Sequence, residues 1–170
     1  MKLVNLFFLT LLIFTGCSQS KISTQKEKKQ AIIFDNLILQ QSYEYLQTLP
    51  KSYSYTNATY SYIGHSGQTT VTVKDDVIVK REFKEGMFND LKTIYIENKK
   101  DLNKNKKGFP PKKLEALYAQ CDKEVLTKDK NENKIYLTFE KRVLKSCIYV
   151  PINCADDCSK GIYFSNVTFN

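Results

Sequence analysis

The hydrophobic positions of this chain change rhythm several times. Leu3 to Phe14 is a nearly unbroken apolar run, interrupted by Asn5 and Thr10. Ser18 to Gln30 (SQSKISTQKEKKQ) is polar and basic and has no apolar period, which predicts a tether rather than an element. From Asp35 the spacing becomes helical. Ile38, Tyr45 and Leu49 share one face with Leu39, Tyr43 and Leu46 beside it; Asp35 is placed to cap the helix and Pro50 to stop it after Thr48. Alternation then takes over. Tyr53 to Ile63 reads as a strand, with Tyr53 and Tyr55 on one parity and Ala58, Tyr60 and Tyr62 on the other. That slip predicts a bulge or turn near Asn57.

Gly64-His65-Ser66-Gly67 reads as a loop. The segment TTVTVK-Asp75-Asp76-VIVKREF reads as a β-hairpin about a short acidic turn. Met87 to Glu97 is ambiguous, with room for a strand around Leu91–Ile96, and Asn98 to Lys107 (NKKDLNKNKK) is a basic polar loop. Pro110-Pro111 opens a second helix, in which Leu114, Leu117, Tyr118, Cys121 and Val125 recur on one face. Ile135, Leu137 and Phe139 alternate with Tyr136, Thr138 and Glu140, as in a half-buried strand. Val143–Val150 and Gly161–Phe169 add two more strands around a loop from Pro151 to Lys160. The expected order is α-β-β-β-α-β-β-β. It predicts an α+β domain, mainly an antiparallel sheet with two helices packed on one face.

Length and composition narrow this further. The chain has 170 residues, 42% hydrophobic and 26% charged, which suits one compact domain over residues 32–170. There is no internal repeat to suggest a second. The formal net charge is +8, and the single histidine excludes any chemistry that needs two imidazoles from one chain.

The N-terminal run follows Lys2 and would reach roughly 20 Å as a helix, short of the ~30 Å apolar core of a bilayer. It ends Phe14-Thr15-Gly16-Cys17 and is followed by polar Ser18-Gln19-Ser20. A charged start, a short apolar stretch and a small residue before cysteine resemble the lipobox signal of bacterial lipoproteins. Phe14 stands where that family usually has leucine. The resemblance implies a signal peptide over 1–16, cleavage between Gly16 and Cys17, and lipidation of Cys17. The family's chemistry places diacylglycerol on the sulfur and, in many bacteria, a third acyl chain such as palmitate on the new amine. Residues 17–31 then form the lipidated start and tether. Serine rather than aspartate at position 18 implies transport to the outer membrane, facing the periplasm.

From Tyr53 onward the layout is similar to a group of small bacterial lipoproteins of unknown function. The matching pieces are Tyr53-Ser54-Tyr55, Gly67, Val71-Thr72-Val73 with Val77-Ile78-Val79, Leu114-Glu115-Ala116-Leu117-Tyr118, and Asp156-Asp157. Residues 87–107 then read as an insertion, and the cysteines beside Asp156-Asp157 depart from the pattern. The resemblance implies no activity.

Four cysteines remain after Cys17. In an exported chain they predict disulfides, Cys121–Cys147 between helix and strand and Cys154–Cys158 across the loop. The competing reading is a Cys₄ zinc site, although only Cys154/Cys158 has the close spacing that such sites use. His65 is the one candidate imidazole base, and its Gly-His-Ser-Gly setting is not a nucleophile elbow. Asp75/Asp76 and Asp156/Asp157 are adjacent pairs, which diverge rather than converge and suit turns. Lys99, Lys100, Lys104, Lys106, Lys107, Lys112 and Lys113 cluster without interleaved aromatic residues, so nucleic acid is not the expected partner. The Tyr53–Tyr62 row suits cross-strand packing.

These readings converge on a lipid-anchored envelope protein whose small domain is non-enzymatic, needs no cofactor or metal, and binds an envelope protein or glycan or serves an accessory role. The alternative is a small hydrolase or metal-dependent enzyme built on His65 or the Cys154-Asp156-Asp157-Cys158 loop. An inhibitor of another protein is a third option.

Overall fold

The computed structural model describes residues 34, 36–61, 63–88, 90–155 and 158–170. The signal and tether readings, with Gly16 and Cys17, lie outside the described residues, as do Asp35, Asp156 and Asp157. Helix α1 (Leu37–Thr48) precedes four strands, β1 (Tyr53–Tyr60), β2 (His65–Lys74), β3 (Val77–Met87) and β4 (Asp90–Asn98). Helix α2 (Leu114–Gln120) continues as a π-helical turn, Cys121–Leu126, before β5 (Asn133–Glu140), β6 (Val143–Pro151) and β7 (Lys160–Phe169). The seven strands form one antiparallel sheet in the order β4-β3-β2-β1-β7-β6-β5. Two meanders therefore meet at the central β1–β7 pair. The fold is α+β.

Several expectations need correction. The segment left ambiguous is β4, a full edge strand, so four strands rather than three precede α2. Residues His65–Gly67 belong to β2 instead of a loop. The β1 register against β2 runs without a break from Tyr53 to Tyr60. The irregularity lies against β7, between Ser54 and Thr56, and not at Asn57. Burial gives the reason: Thr56, Asn57 and Ala58 are all buried, so the β1 pattern loses its alternation while its register with β2 continues.

Nor are both helices packed on one face. α1 lies against β6, whereas α2 with its π turn is set against β6 and β7 and touches α1 only marginally. The helices are too slight to form a layer. α1 buries just Leu39, Ser42 and Leu46, and α2 has seven residues. Leu37 and Ile38 are exposed, and the cap is Asn36, whose side chain accepts from Ile38 N–H and Leu39 N–H, both at 3.1 Å.

One hydroxyl joins these pieces. Tyr118 Oη accepts from Leu144 N–H at 2.7 Å and lies 2.7 Å from Ser42 Oγ, which donates to Arg142 O at 2.6 Å. The core around it takes Leu39 and Leu46 from α1, Leu114 and Leu117 from α2, and Val125 from the π turn. Strands add Tyr53, Tyr55, Val71, Val73, Leu144, Ile162 and Phe164. Both tight hairpins, Asp75-Asp76 and Lys141-Arg142, have left-handed backbones at both positions (φ 47° and 65°; 48° and 68°). That geometry matches the right-handed twist of the strands they join.

Candidate functional site

The β3–β4 end of the sheet has no helix over it, and the segment between β4 and α2 takes that place. Arg81 and Glu97 stand directly opposite each other on β3 and β4. Arg81 shares a strand face with Phe83, two residues on, and Glu97 shares one with Tyr95. The two side chains are 1% and 2% exposed and pair at 3.0 Å. A buried pair of this kind gains little net stability, because desolvation offsets its attraction. Its remaining hydrogen bonds go to the connecting segment.

Glu97 accepts from Asn103 N–H (2.8 Å), Asn105 N–H (2.6 Å) and the Asn105 side-chain amide (2.9 Å). Arg81 donates to Asn105 O at 3.0 Å and to Lys107 O, and Tyr95 Oη also donates to Lys107 O. Burial works against the charge on Glu97. The hydrogen bonds from Asn105 N–H, Asn103 N–H, the Asn105 amide and Arg81 outweigh it and hold the carboxyl at about 2. The Arg81 guanidinium lies 5.1 Å from the Tyr95 ring centroid, and Tyr95 stacks on Phe83 at 5.5 Å.

The segment stays pinned until α2 begins. Gly108 has φ +73°, and a Cβ there would sit 2.6 Å from Thr69 Oγ1 and 2.7 Å from the Phe83 ring, so only glycine fits without displacement. Phe109 N–H donates to Thr69 Oγ1 at 3.0 Å. Tyr55 Oη donates to Lys112 O at 2.5 Å, and Leu114 N–H donates to Tyr53 Oη at 3.0 Å. Burial pushes both tyrosines well above the usual phenol range, so they stay neutral in these bonds. Two members of the tyrosine row are therefore anchors for the segment before α2.

Charge concentrates on this braced segment. Residues 98–113 hold seven lysines and one aspartate, a net of +6 within a chain of +8. Four of the lysines are engaged: Lys104 with Asp101, Lys107 with Glu85 at 2.6 Å, Lys113 with Asp76 at 3.0 Å, and Lys112 with the Gln120 side chain at 2.7 Å. Lys99, Lys100 and Lys106 are exposed and have no ion-pair partner among the described residues.

The other candidate chemistry is dispersed. His65 is the first residue of β2; its Nε2 is 3.6 Å from Glu85 Oε1, and Lys107 holds the other oxygen of Glu85. Ser66, the next residue along the strand, faces the opposite side, and its Oγ donates to Phe88 O at 3.2 Å. Asp75 and Asp76 make a hairpin turn. Cys121 is bonded to Cys147 and Cys154 to Cys158, with Cα separations of 5.7 and 6.1 Å. These sulfurs are therefore not thiolate ligands, and no group of three or more His, Cys, Asp or Glu among the described residues is placed to hold a metal.

A cavity of about 360 Å³ opens between the end of α1, the β5–β6 turn and β7. Leu49, Leu144, Phe164 and Phe169 line it, with Lys141 and Lys145 also in its wall. Lys145 pairs with Glu140 at 3.1 Å, and the Arg142 guanidinium lies over the Tyr45 ring at 4.2 Å. Left-handed Asn166 (φ 53°) is part of the wall where β7 is irregular against β1.

Sequence reasoning missed Arg81 and Glu97. The signal was present: each sits at alternate spacing from an aromatic residue, Phe83 and Tyr95, where a strand that buries one face would carry another apolar side chain. Comparison with known proteins adds nothing to this geometry, since no family model, curated protein or solved structure matches the chain.

Proposed function

We propose that this chain is a lipid-anchored protein of the bacterial cell envelope, cleaved before Cys17 and held by acyl chains on that residue. In this reading it sits at the outer membrane facing the periplasm. The observation that carries the reading is the passage from an apolar run, too short to span, through Gly16 directly into Cys17 and polar sequence. Two disulfides support it, because such bonds persist in oxidising compartments. No helix among the described residues is long and apolar enough to cross a membrane.

The folded domain is a non-enzymatic binding or accessory module, and its binding face is the lysine segment braced by Arg81 and Glu97. In support, His65 and Ser66 lie on opposite faces of β2, so they do not form a nucleophile–base pair. The test is the mass of the mature N-terminal peptide, together with membrane fractionation of a Cys17→Ser variant. A diacylglycerol-modified Cys17, and loss of the variant from the membrane fraction, are the expected results. An unmodified mature terminus overturns the reading.

A further inference from the structure

We infer that the braced lysine segment is the face with which this domain meets an anionic phospholipid surface. The inference rests on the membrane-anchored reading and specifies what the domain does once it is there. Three observations carry it.

The first is concentration of charge. Residues 98–113 supply +6 of the chain's +8, and Lys99, Lys100 and Lys106 have no ion-pair partner among the described residues. Unpaired lysines close to an anionic surface are attracted to it individually, and their contributions accumulate. The second is rigidity. Eight hydrogen bonds to Arg81, Glu97, Tyr95, Thr69, Tyr55 and Tyr53 fix the backbone of this segment and of Leu114 directly after it. A pre-ordered cationic loop loses less entropy on binding than a free one. The buried pair thus acts as a positioning device, its desolvation offset by mutual attraction and by its hydrogen bonds to the segment.

The third is the chemistry of the segment's side chains, which disfavours nucleic acid and sugar. Phe109, the one aromatic residue between 98 and 113, is half-buried, so the segment itself offers no exposed ring as a stacking platform. All the segment's cations are lysines, hydrated point charges suited to headgroup phosphates rather than to forked recognition.

The test is a lysine-acetylation footprint of the full chain on two kinds of vesicle, phosphatidylcholine alone and phosphatidylcholine with phosphatidylglycerol, with flotation recorded in parallel. Acetylation of Lys99, Lys100 and Lys106 should slow about tenfold on the anionic vesicles and return to the neutral-vesicle rate in about 0.5 M salt. Lys130 and Lys134, by β5 at the other edge of the sheet, should react at the same rate on both. Equal rates for the loop lysines on the two vesicles overturn the inference, whether or not the protein floats. Loop protection on anionic vesicles without flotation on neutral ones supports the inference and counts against the acyl anchor. A K99Q/K100Q/K106Q variant, altered only at exposed side chains, should lose the preference for anionic vesicles; if it keeps that preference, the inference fails.

Discussion

Replacing Glu97 by glutamine keeps the shape of the side chain and removes its charge. In the native chain both carboxylate oxygens accept: Oε2 from Arg81 and Asn103 N–H, Oε1 from Asn105 N–H and the Asn105 amide. A glutamine amide offers one acceptor oxygen, so in either orientation its NH₂ faces two donors. The Arg81 charge stays buried at 1% exposure without a counter-charge. A carboxyl held at about 2 instead of its ordinary 4.5 corresponds to about 3 kcal/mol of folding stability. Loss of one partner from a buried pair costs about 3–5 kcal/mol, which agrees.

The sign with pH follows from the direction of the shift. The folded value lies below the unfolded one, so Glu97's contribution is complete above the ordinary carboxyl range and is lost as pH falls toward 2. A protonated Glu97 gives Arg81 the same neutral partner that glutamine does. Urea unfolding with disulfides intact should therefore show Glu97→Gln less stable by about 3 kcal/mol at neutral pH, with the gap mostly closed near pH 2. A gap below about 1 kcal/mol at neutral pH, or one that does not change with pH, would refute the assignment of Glu97 as the ionised centre of the clamp.

Three other outcomes check separate parts of the structure. Gly108→Ala forces a side chain into a left-handed position against Thr69 and Phe83; it should release the segment and speed tryptic cleavage at Lys104, Lys106 and Lys107 several-fold at neutral pH, roughly in line with a cost of 1–2 kcal/mol. Tyr118→Phe leaves Leu144 N–H and Ser42 Oγ short of a buried partner and should cost about 1–3 kcal/mol in the same unfolding assay. Removing the Cys121–Cys147 bridge as a double alanine variant opens a link across a sequence separation of 26 and should cost about 3.5 kcal/mol, read as a lower urea midpoint.

Much of the architecture was legible because it rests on local patterns. The apolar series from Leu114 to Val125 placed the second helix and its buried face, and alternation at Ile135, Leu137 and Phe139 placed β5. Errors arose where local pattern and burial diverge. Ile38 carries an apolar side chain into solvent, while Ser42 is buried because its hydroxyl completes the bonds around Tyr118 and Arg142. β4 was blurred because Ile94 and Ile96 are exposed while Glu97 is inside, the reverse of the usual pattern.

The lysine segment shows the division most clearly. Its composition was visible from the start, and composition alone describes a solvated loop. Only the pairing of β3 with β4 brings Arg81 opposite Glu97 and gives that loop donors and acceptors to close on. The sequence by itself determined the class of fold, the main helix and strand segments and where positive charge accumulates, because those follow from side-chain period and type. Tertiary structure decided which charged groups are buried, which turns are held and which lysines are engaged, because each depends on partners far apart in the chain that meet only when the sheet assembles.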